Sequence, residues 1–404
     1  MLGRRWLTTG LLGTLGLWIG GGVALRVVLV PPESCPAITS AQALDSAKLA
    51  TGWVEQAQNP DGTYVYEYNR DTNAISTDYN AVRHAGVTMG LYQSAAQTGD
   101  PSTLDAADLG LTWMQAQLYA RDDWVALQAP DGTIELGATG LMLAGLAQRR
   151  LATGDSQYDA LMHELARFEL KLQQPDGSFL AFWVVATGAP DPVSRSPYDT
   201  GEAFWSLTLM QQAFPGEGWE KPARAAADYI STSRDSVEHQ DFPPWADQWA
   251  AYGLAQMAAW PLDENNIRYA RNLAERFGFL VRVESGRRDS WLSNTLRGKE
   301  SRGAGMGTWS EALDSLWRIA NVDPRMADLK PTIAARAACA AGILAARQVK
   351  PSTAADASRD LLTGAWYRDG VTRMDDQQHT MSGLLRVRDI LAPGSGEAKA
   401  KASP

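Results

Sequence analysis

The chain has 404 residues, 45% of them hydrophobic and 21% charged, a balance that folds rather than stays disordered. Its formal net charge is −9 and it carries no long basic run. That excludes nucleic acid as the main partner, because phosphate contacts need clustered Lys and Arg.

The N-terminus reads as a membrane segment. "MLGRR" precedes an uncharged stretch from Trp6 to Leu25, then Arg26 and "VVLVPP". About 20 apolar residues are enough to cross a bilayer as a helix. Arg4 and Arg5 ahead of it predict a cytoplasmic start and an extracytoplasmic remainder. The expected organisation is a cytoplasmic stub over 1–5, a transmembrane anchor or uncleaved signal over 6–30, and a linker over 31–39. One domain follows over 40–391, then a disordered tail over 392–404. The two cysteines permit one disulfide. Yet Cys339 lies in the Ala-rich "ARAACAAGILAA" and reads as a small buried residue, and Cys35 lies just past the anchor. Neither has metal-ligand spacing, so no metal and no cofactor is expected.

From Ser40 onward, apolar residues recur at three- and four-residue steps, as in Val82, Ala85, Met89, Tyr92 and Ala96. "TGD" closes a helix at Thr98 and again at Thr153, with Gly in the capping role. The helices come in pairs: 40–57 with 80–97, 102–119 with 136–152, and 156–173 with 200–214. Then come 219–233 with 245–260, 264–280 with 306–320, and 326–348 with 377–391, plus a short helix near 353–363. Pairs of this period are a repeat architecture, and six of them predict an all-α (α/α)6 toroid. Loops within a pair are long, and loops between pairs are short, which places a cleft on one side. Three long loops reuse one turn, in "QNPDGTY", "QAPDGTI" and "QQPDGSF", where Pro presets the turn and Gly accepts positive φ. The segments after it, "TYVYEY" and "SFLAFWVV", read as short strands over the cleft mouth.

If the second helix of each pair is the inner one, six polar starts converge: "DYNAVRHAG", "IELGATG", "YDTGEAFW", "PPWADQWAAYG", "RGAGMGTWSEA" and "DDQQHTMSG". Some of these acids have a structural alternative. Asp199 with Glu202, and Thr308 with Glu311, have capping-box spacing.

"NAVRHAG", "ELGATGLMLAGLA", "QQPDGSF", "YDTGEAFWSL", "GTWSEAL" and "RMDDQQHTMSGLL" together resemble a group of bacterial (α/α)6-barrel proteins. These are similar to glucuronyl epimerase-like and other carbohydrate-active toroids. Where that group commonly has an aromatic-Pro-Gly-Glu form, this chain has Tyr198, Asp199, Thr200, Gly201 and Glu202. The resemblance implies a glycan or polysaccharide substrate at the inner-helix starts. "QNPDGTY" also resembles the repeats of terpene cyclases, which are toroids too, but "MDDQ" and "RDDW" match their Asp-rich motif poorly.

Glycoside hydrolysis needs two carboxylates, for which the candidates are Glu202, Asp247, Glu311 and Asp376. Uronate epimerisation or elimination needs a base at carbon 5 and a cation for the carboxylate. Tyr198, His84 and His379 fit the base, and Arg83 and Arg373 the cation. Glu135, Tyr66, Trp205, Trp245, Trp249 and Trp309 are candidate substrate contacts. The expectation is a membrane-anchored, extracytoplasmic, carbohydrate-active protein of hydrolase or uronate epimerase/lyase type. The alternative is a non-catalytic glycan-binding or assembly subunit of an envelope polysaccharide complex. A terpene cyclase-like enzyme ranks third and requires an apolar cavity.

Overall fold

The computed structural model describes residues 2–26, 33–240, 245–351 and 361–392. Its helices, in chain order, are α1 (Leu2–Ala24), α2 (Ser40–Gln56), α3 (Ala81–Thr98), α4 (Pro101–Ala116), α5 (Leu136–Thr153), α6 (Asp159–Leu172) and α7 (Asp199–Ala213). They continue as α8 (Glu220–Thr232), the short α9 (Arg234–Val237), α10 (Gln248–Met257), α11 (Glu264–Ser285), the short α12 (Trp291–Arg297), α13 (Gly303–Val322), α14 (Lys330–Arg347) and α15 (Met374–Leu391).

α3 packs on α5, α5 on α7, α7 on α10, α10 on α13, α13 on α15, and α15 back on α3. The second helices of the pairs therefore close an inner ring, and α2, α4, α6, α8, α11 and α14 pack around it. The sequence difference between the rings follows. Every residue of α7 from Asp199 to Met210 is buried, so it carries no polar stripe. Outer α8 buries Ala223, Ala226, Ala227 and Ile230 at helical spacing and leaves its other face to solvent. Where α13 meets α15, Gly307 and Gly383 allow contact of the backbones; a Cβ on Gly307 would overlap the backbone of His379.

The three copies of the repeated turn have one geometry. Gly62, Gly132 and Gly177 all have φ +89°. In each, the Asp before Gly accepts the N–H two residues on (Thr63, Thr133 and Ser178, at 3.0, 2.9 and 3.0 Å). The turn reverses the chain between an outer helix and its inner partner.

Among the described residues, eight short strands decorate the cleft end: β1 (Glu67–Asn69), β2 (Ala74–Ile75), β3 (Leu118–Arg121), β4 (Trp124–Leu127), β5 (Ile134–Glu135), β6 (Phe182–Val184), β7 (Ala189–Pro190) and β8 (Val371–Arg373). They form sheets β2-β1-β8, β3-β4 and β5-β6-β7, all antiparallel. Glu67 pairs with Arg373, so the first sheet joins the first repeat to the last; Glu135 pairs with Phe182, joining the second repeat to the third. Only the later parts of "TYVYEY" and "SFLAFWVV" are strand, because Tyr64 and Phe179 turn inward and are buried.

Some expectations are corrected. Cys35 and Cys339 are joined by a disulfide, with Cα atoms 4.7 Å apart and 304 residues of separation. A cysteine in an Ala-rich helix can face a neighbouring segment, which spacing within its own helix does not reveal. Beside it, Glu33 pairs with Arg282 and with Arg336 (2.6 Å), so the linker is fastened to α11 and α14. α10 is shorter than expected and α13 begins earlier, at Gly303. Thr308 and Glu311 therefore lie inside α13 and do not cap it. The short helix expected near 353–363 lies largely outside the described residues, as does the tail from 393; the described Leu361–Gly364 is a turn.

Candidate functional site

A cavity of about 670 Å³ opens at the N-terminal ends of the inner helices. That size lies within the range of small-molecule and oligomer sites. Its wall changes character around the ring: acids from α5 and α7, aromatics from α10 and α13, and cations with a histidine from α3 and α15.

The acid wall is Glu135, Asp199 and Glu202. Glu135 stands at the N-cap of α5 without capping it. Asp199 is the first residue of α7 and accepts the Ser196 hydroxyl at 2.5 Å through Oδ1, while Oδ2 has no hydrogen-bond partner among the described residues. Glu202 is one turn further, buried, and its Oε2 also lacks a partner there. Gly137 is what lets this cluster form, because a Cβ there would collide with the Glu202 carboxylate and lie 3.1 Å from Asp199 Oδ1. Burial, then the nearby charges of Asp199, Glu135 and Asp247, hold Glu202 well above the carboxylate range. Burial pushes Asp199 up to about 6, and burial with the charges of Asp199 and Asp131 pushes Glu135 up to about 7. Together they keep a proton in the cleft at neutral pH, and the proton belongs to the cluster rather than to one residue.

Opposite, Asp375 sits between Arg83 at 3.3 Å and Arg373 at 3.2 Å. Two guanidiniums share this one carboxylate. His379 lines the same wall and faces Trp249, with ring centroids 5.8 Å apart. Its Nδ1 lies 3.0 Å from the buried Glu311 carboxylate. Burial pulls the His379 pKa down, but Glu311, Asp375 and Asp376 outweigh it and raise the ring above its ordinary value. Tyr198 projects between the walls, edge-on to Trp245 at 5.1 Å, and burial with the Glu202 charge raises its hydroxyl. Trp245, Trp249 and Trp309 complete the aromatic arc.

The structure thus brings Glu202, Tyr198, His379, Arg83, Glu135, Trp245, Trp249, Trp309 and Arg373 to one cavity. It places the other candidates elsewhere. His84 is buried, bonded through Nδ1 to the Tyr79 hydroxyl at 2.7 Å and through Nε2 to the Gly110 carbonyl at 2.9 Å. Burial lowers its pKa to about 4, so it is a neutral core group. Asp247 caps α10 through the Ala250 N–H (3.0 Å) and pairs with the buried Arg234. Asp376 is held by Arg302 at 2.7 Å and by the N–H groups of Ala304 and Arg373. Glu311 lies behind His379, bonded also to Ser382. Trp205 is a core residue stacked on Trp249 at 5.5 Å. Tyr66 lies at the hairpin, its hydroxyl against Arg83. Asp199, Asp375 and Gln378 also line the cavity. Their positions at inner-helix starts were the available signal, and the capping spacing of Asp199 masked it.

A scan of protein-family models and a search of curated proteins give no match. Solved structures do match over the ring. The cellobiose 2-epimerase from Spirochaeta thermophila superposes with a TM-score of 0.60 at 13% identity, covering 87% of this chain and 97% of that one. An unsaturated glucuronyl hydrolase specific for heparin gives 0.58 at 12% identity, over 87% and 98%. A type II terpene cyclase from Scytonema gives 0.52 at 12%, over 87% and 99%. The fold is the (α/α)6 toroid, which these sugar-acting enzymes and the terpene cyclase share, and at these identities the likeness carries the fold alone.

Proposed function

We propose that the chain is a membrane-anchored, extracytoplasmic enzyme that cleaves a polysaccharide by acid-assisted glycoside hydrolysis. The observation that carries this reading is the Glu135, Asp199 and Glu202 cluster, a proton store inside a cavity with an aromatic arc. In the proposed reaction the cluster's acid, at Glu202, gives its proton to the glycosidic oxygen as the C–O bond breaks. The base must act on the opposite face of the sugar, and Asp375 on the far wall is the carboxylate placed to take a proton from the attacking water. Trp245 and Trp309 supply ring faces for sugars, while the buried Trp249, stacked on Trp205, packs against His379. Arg83 and Arg373 share a single counter-ion, and the remaining positive charge favours a uronate-bearing chain. A second cavity of about 210 Å³ shares Asn80 and Glu135 with the first, which favours a chain over a single sugar.

His379 backed by Glu311, with Tyr198 across from it, favours a second chemistry, the removal of a proton from carbon 5 of a uronate. A binding subunit whose acids only cap helices is disfavoured, because Asp199 Oδ2 and Glu202 Oε2 have no hydrogen-bond partner among the described residues. An apolar cyclase cavity is disfavoured by the charged lining.

The anchor reading rests on α1, whose side chains from Leu11 through Val23 are exposed and mostly apolar. Among the described residues Pro324–Arg347 is the helical stretch with the length and hydropathy of a span, and 44% of it is buried, whereas Leu11–Ala24 is apolar but shorter. The disulfide supports an oxidising compartment.

The test is to incubate the full chain in detergent with neutral and uronic polysaccharides. Chain shortening that Glu202→Gln abolishes supports hydrolysis. Deuterium uptake at carbon 5 without shortening selects the second chemistry. Binding that survives Glu202→Gln, with neither reaction, overturns both.

A further inference from the structure

Exposed apolar side chains lie on α11, where the tether meets the ring, and on α12, which follows it. Glu33 pairs with Arg282 on α11 and Arg336 on α14, and Cys35 is bonded to Cys339 on α14. Phe279 is one turn before Arg282, on the same face of α11, and it is 65% exposed. α11 ends at Ser285 and leads into α12, where Trp291 is 80% exposed, Leu292 59% and Leu296 40%. α12 lies between an outer and an inner helix, which puts it at the cleft end. Singly exposed apolar residues are ordinary on a protein surface, but here three fall within six positions of one short helix.

The tether is short. From Arg26 to Glu33 is seven residue steps, at most about 25 Å fully extended. α11, with 22 residues, is itself about 33 Å long at 1.5 Å per residue. A ring fastened this way at α11 and α14 keeps that side next to whatever holds α1.

We propose that Phe279, Trp291, Leu292 and Leu296 form a membrane-docking face that lays the α11–α12 side of the ring on the lipid surface. This rests on the reading of α1 as a membrane anchor. Trp suits the headgroup boundary, with its ring in the apolar zone and its N–H towards water, and Leu and Phe add buried apolar area. The face lies at the cleft rim, so docking fixes the cleft's mouth at the membrane surface instead of leaving it to swing on the linker.

The experiment exploits the absence of free cysteines among the described residues, since Cys35 and Cys339 are both in the disulfide. Leu292→Cys and Phe279→Cys are made separately in the full chain and labelled with a polarity-sensitive thiol dye. Leu170→Cys on α6, across the ring from α14, is the control. Each protein is reconstituted into vesicles of phosphatidylcholine and phosphatidylglycerol, some with brominated acyl chains. Flotation with the vesicles reports on the anchor alone, and a chain that fails to float overturns the anchor reading and this inference with it. For a chain that floats, blue-shifted emission and at least twofold bromine quenching at 292 and 279, but not at 170, supports docking. Water-like emission at 292 and 279, or equal quenching at all three sites, overturns docking and leaves the anchor standing.

Discussion

Two groups of carboxylates stand at the starts of inner helices, and they have opposite surroundings. Asp247 and Asp376 are buried beside guanidiniums, Arg234 and Arg302, and their oxygens also accept backbone N–H groups. Asp199, Glu202 and Glu135 are gathered with one another, and no guanidinium among the described residues pairs with them. The first group is tied to the chain by guanidiniums and backbone N–H groups; the second is held together without a counter-ion among the described residues. The difference lies in the counter-ion, not in the residue type or the helix position.

The comparison breaks first at Glu202. Glu202→Gln should lower turnover roughly 100- to 10,000-fold, the usual worth of a general acid. It should also leave the fold intact. A carboxyl that is neutral when folded and ionised when unfolded makes the fold lose stability as pH rises from the unfolded value through the folded one. For Asp199 that window runs from 3.8 to about 6, and for Glu135 from 4.5 to about 7. Glu202 shifts in the same direction, so the melting temperature of Glu202→Gln relative to the parent should rise as pH climbs above the ordinary Glu range. A variant that unfolds at neutral pH would move Glu202 into the structural group.

Asp247→Asn tests the other group. It leaves Arg234 without its main counter-ion in a fully buried site, and losing one partner of a buried pair costs about 3–5 kcal/mol. Urea unfolding should show that loss, and cleavage per folded molecule should change little. A stable Asp247→Asn that has lost turnover would erase the distinction between the groups.

The disulfide tests whether the tether is part of the fold. Reducing the bond, or Cys35→Ser with Cys339→Ser, should lower stability by about 2–4 kcal/mol. Scanning calorimetry with and without reductant measures it. No change would mean the linker rides on the ring without stabilising it.

Much of this architecture is legible in the sequence, and the illegible parts share a cause. Local spacing gives the helices, and "TGD" marks their ends, because periodicity and capping act within a few residues. Whether an acid is paired depends on residues far away: Arg302 reaches Asp376 across 74 positions, and Cys35 reaches Cys339 across 304. His84 and His379 looked equivalent as histidines at inner-helix starts. They diverge because Tyr79 and Gly110 enclose one ring, while Glu311 turns the other towards the cavity.

The smallest effect separates the copies of the repeated turn. Gly62, Gly132 and Gly177 have the same φ, so replacing any of them by Ala places a side chain in the left-handed region, at about 1–2 kcal/mol. At Gly132 a Cβ meets nothing within 4 Å, and that should be the whole cost. At Gly177 it would collide with the Ala225 carbonyl, and at Gly62 with the Leu109 carbonyl. Overpacking adds about 1–3 kcal/mol at those two. Thermal unfolding of the three single variants should rank Gly132→Ala as the mildest. Equal losses would mean the turn's backbone alone sets the cost; unequal ones mean that two copies are clamped against the next outer helix and one, beside Glu135 and the second cavity, is left open.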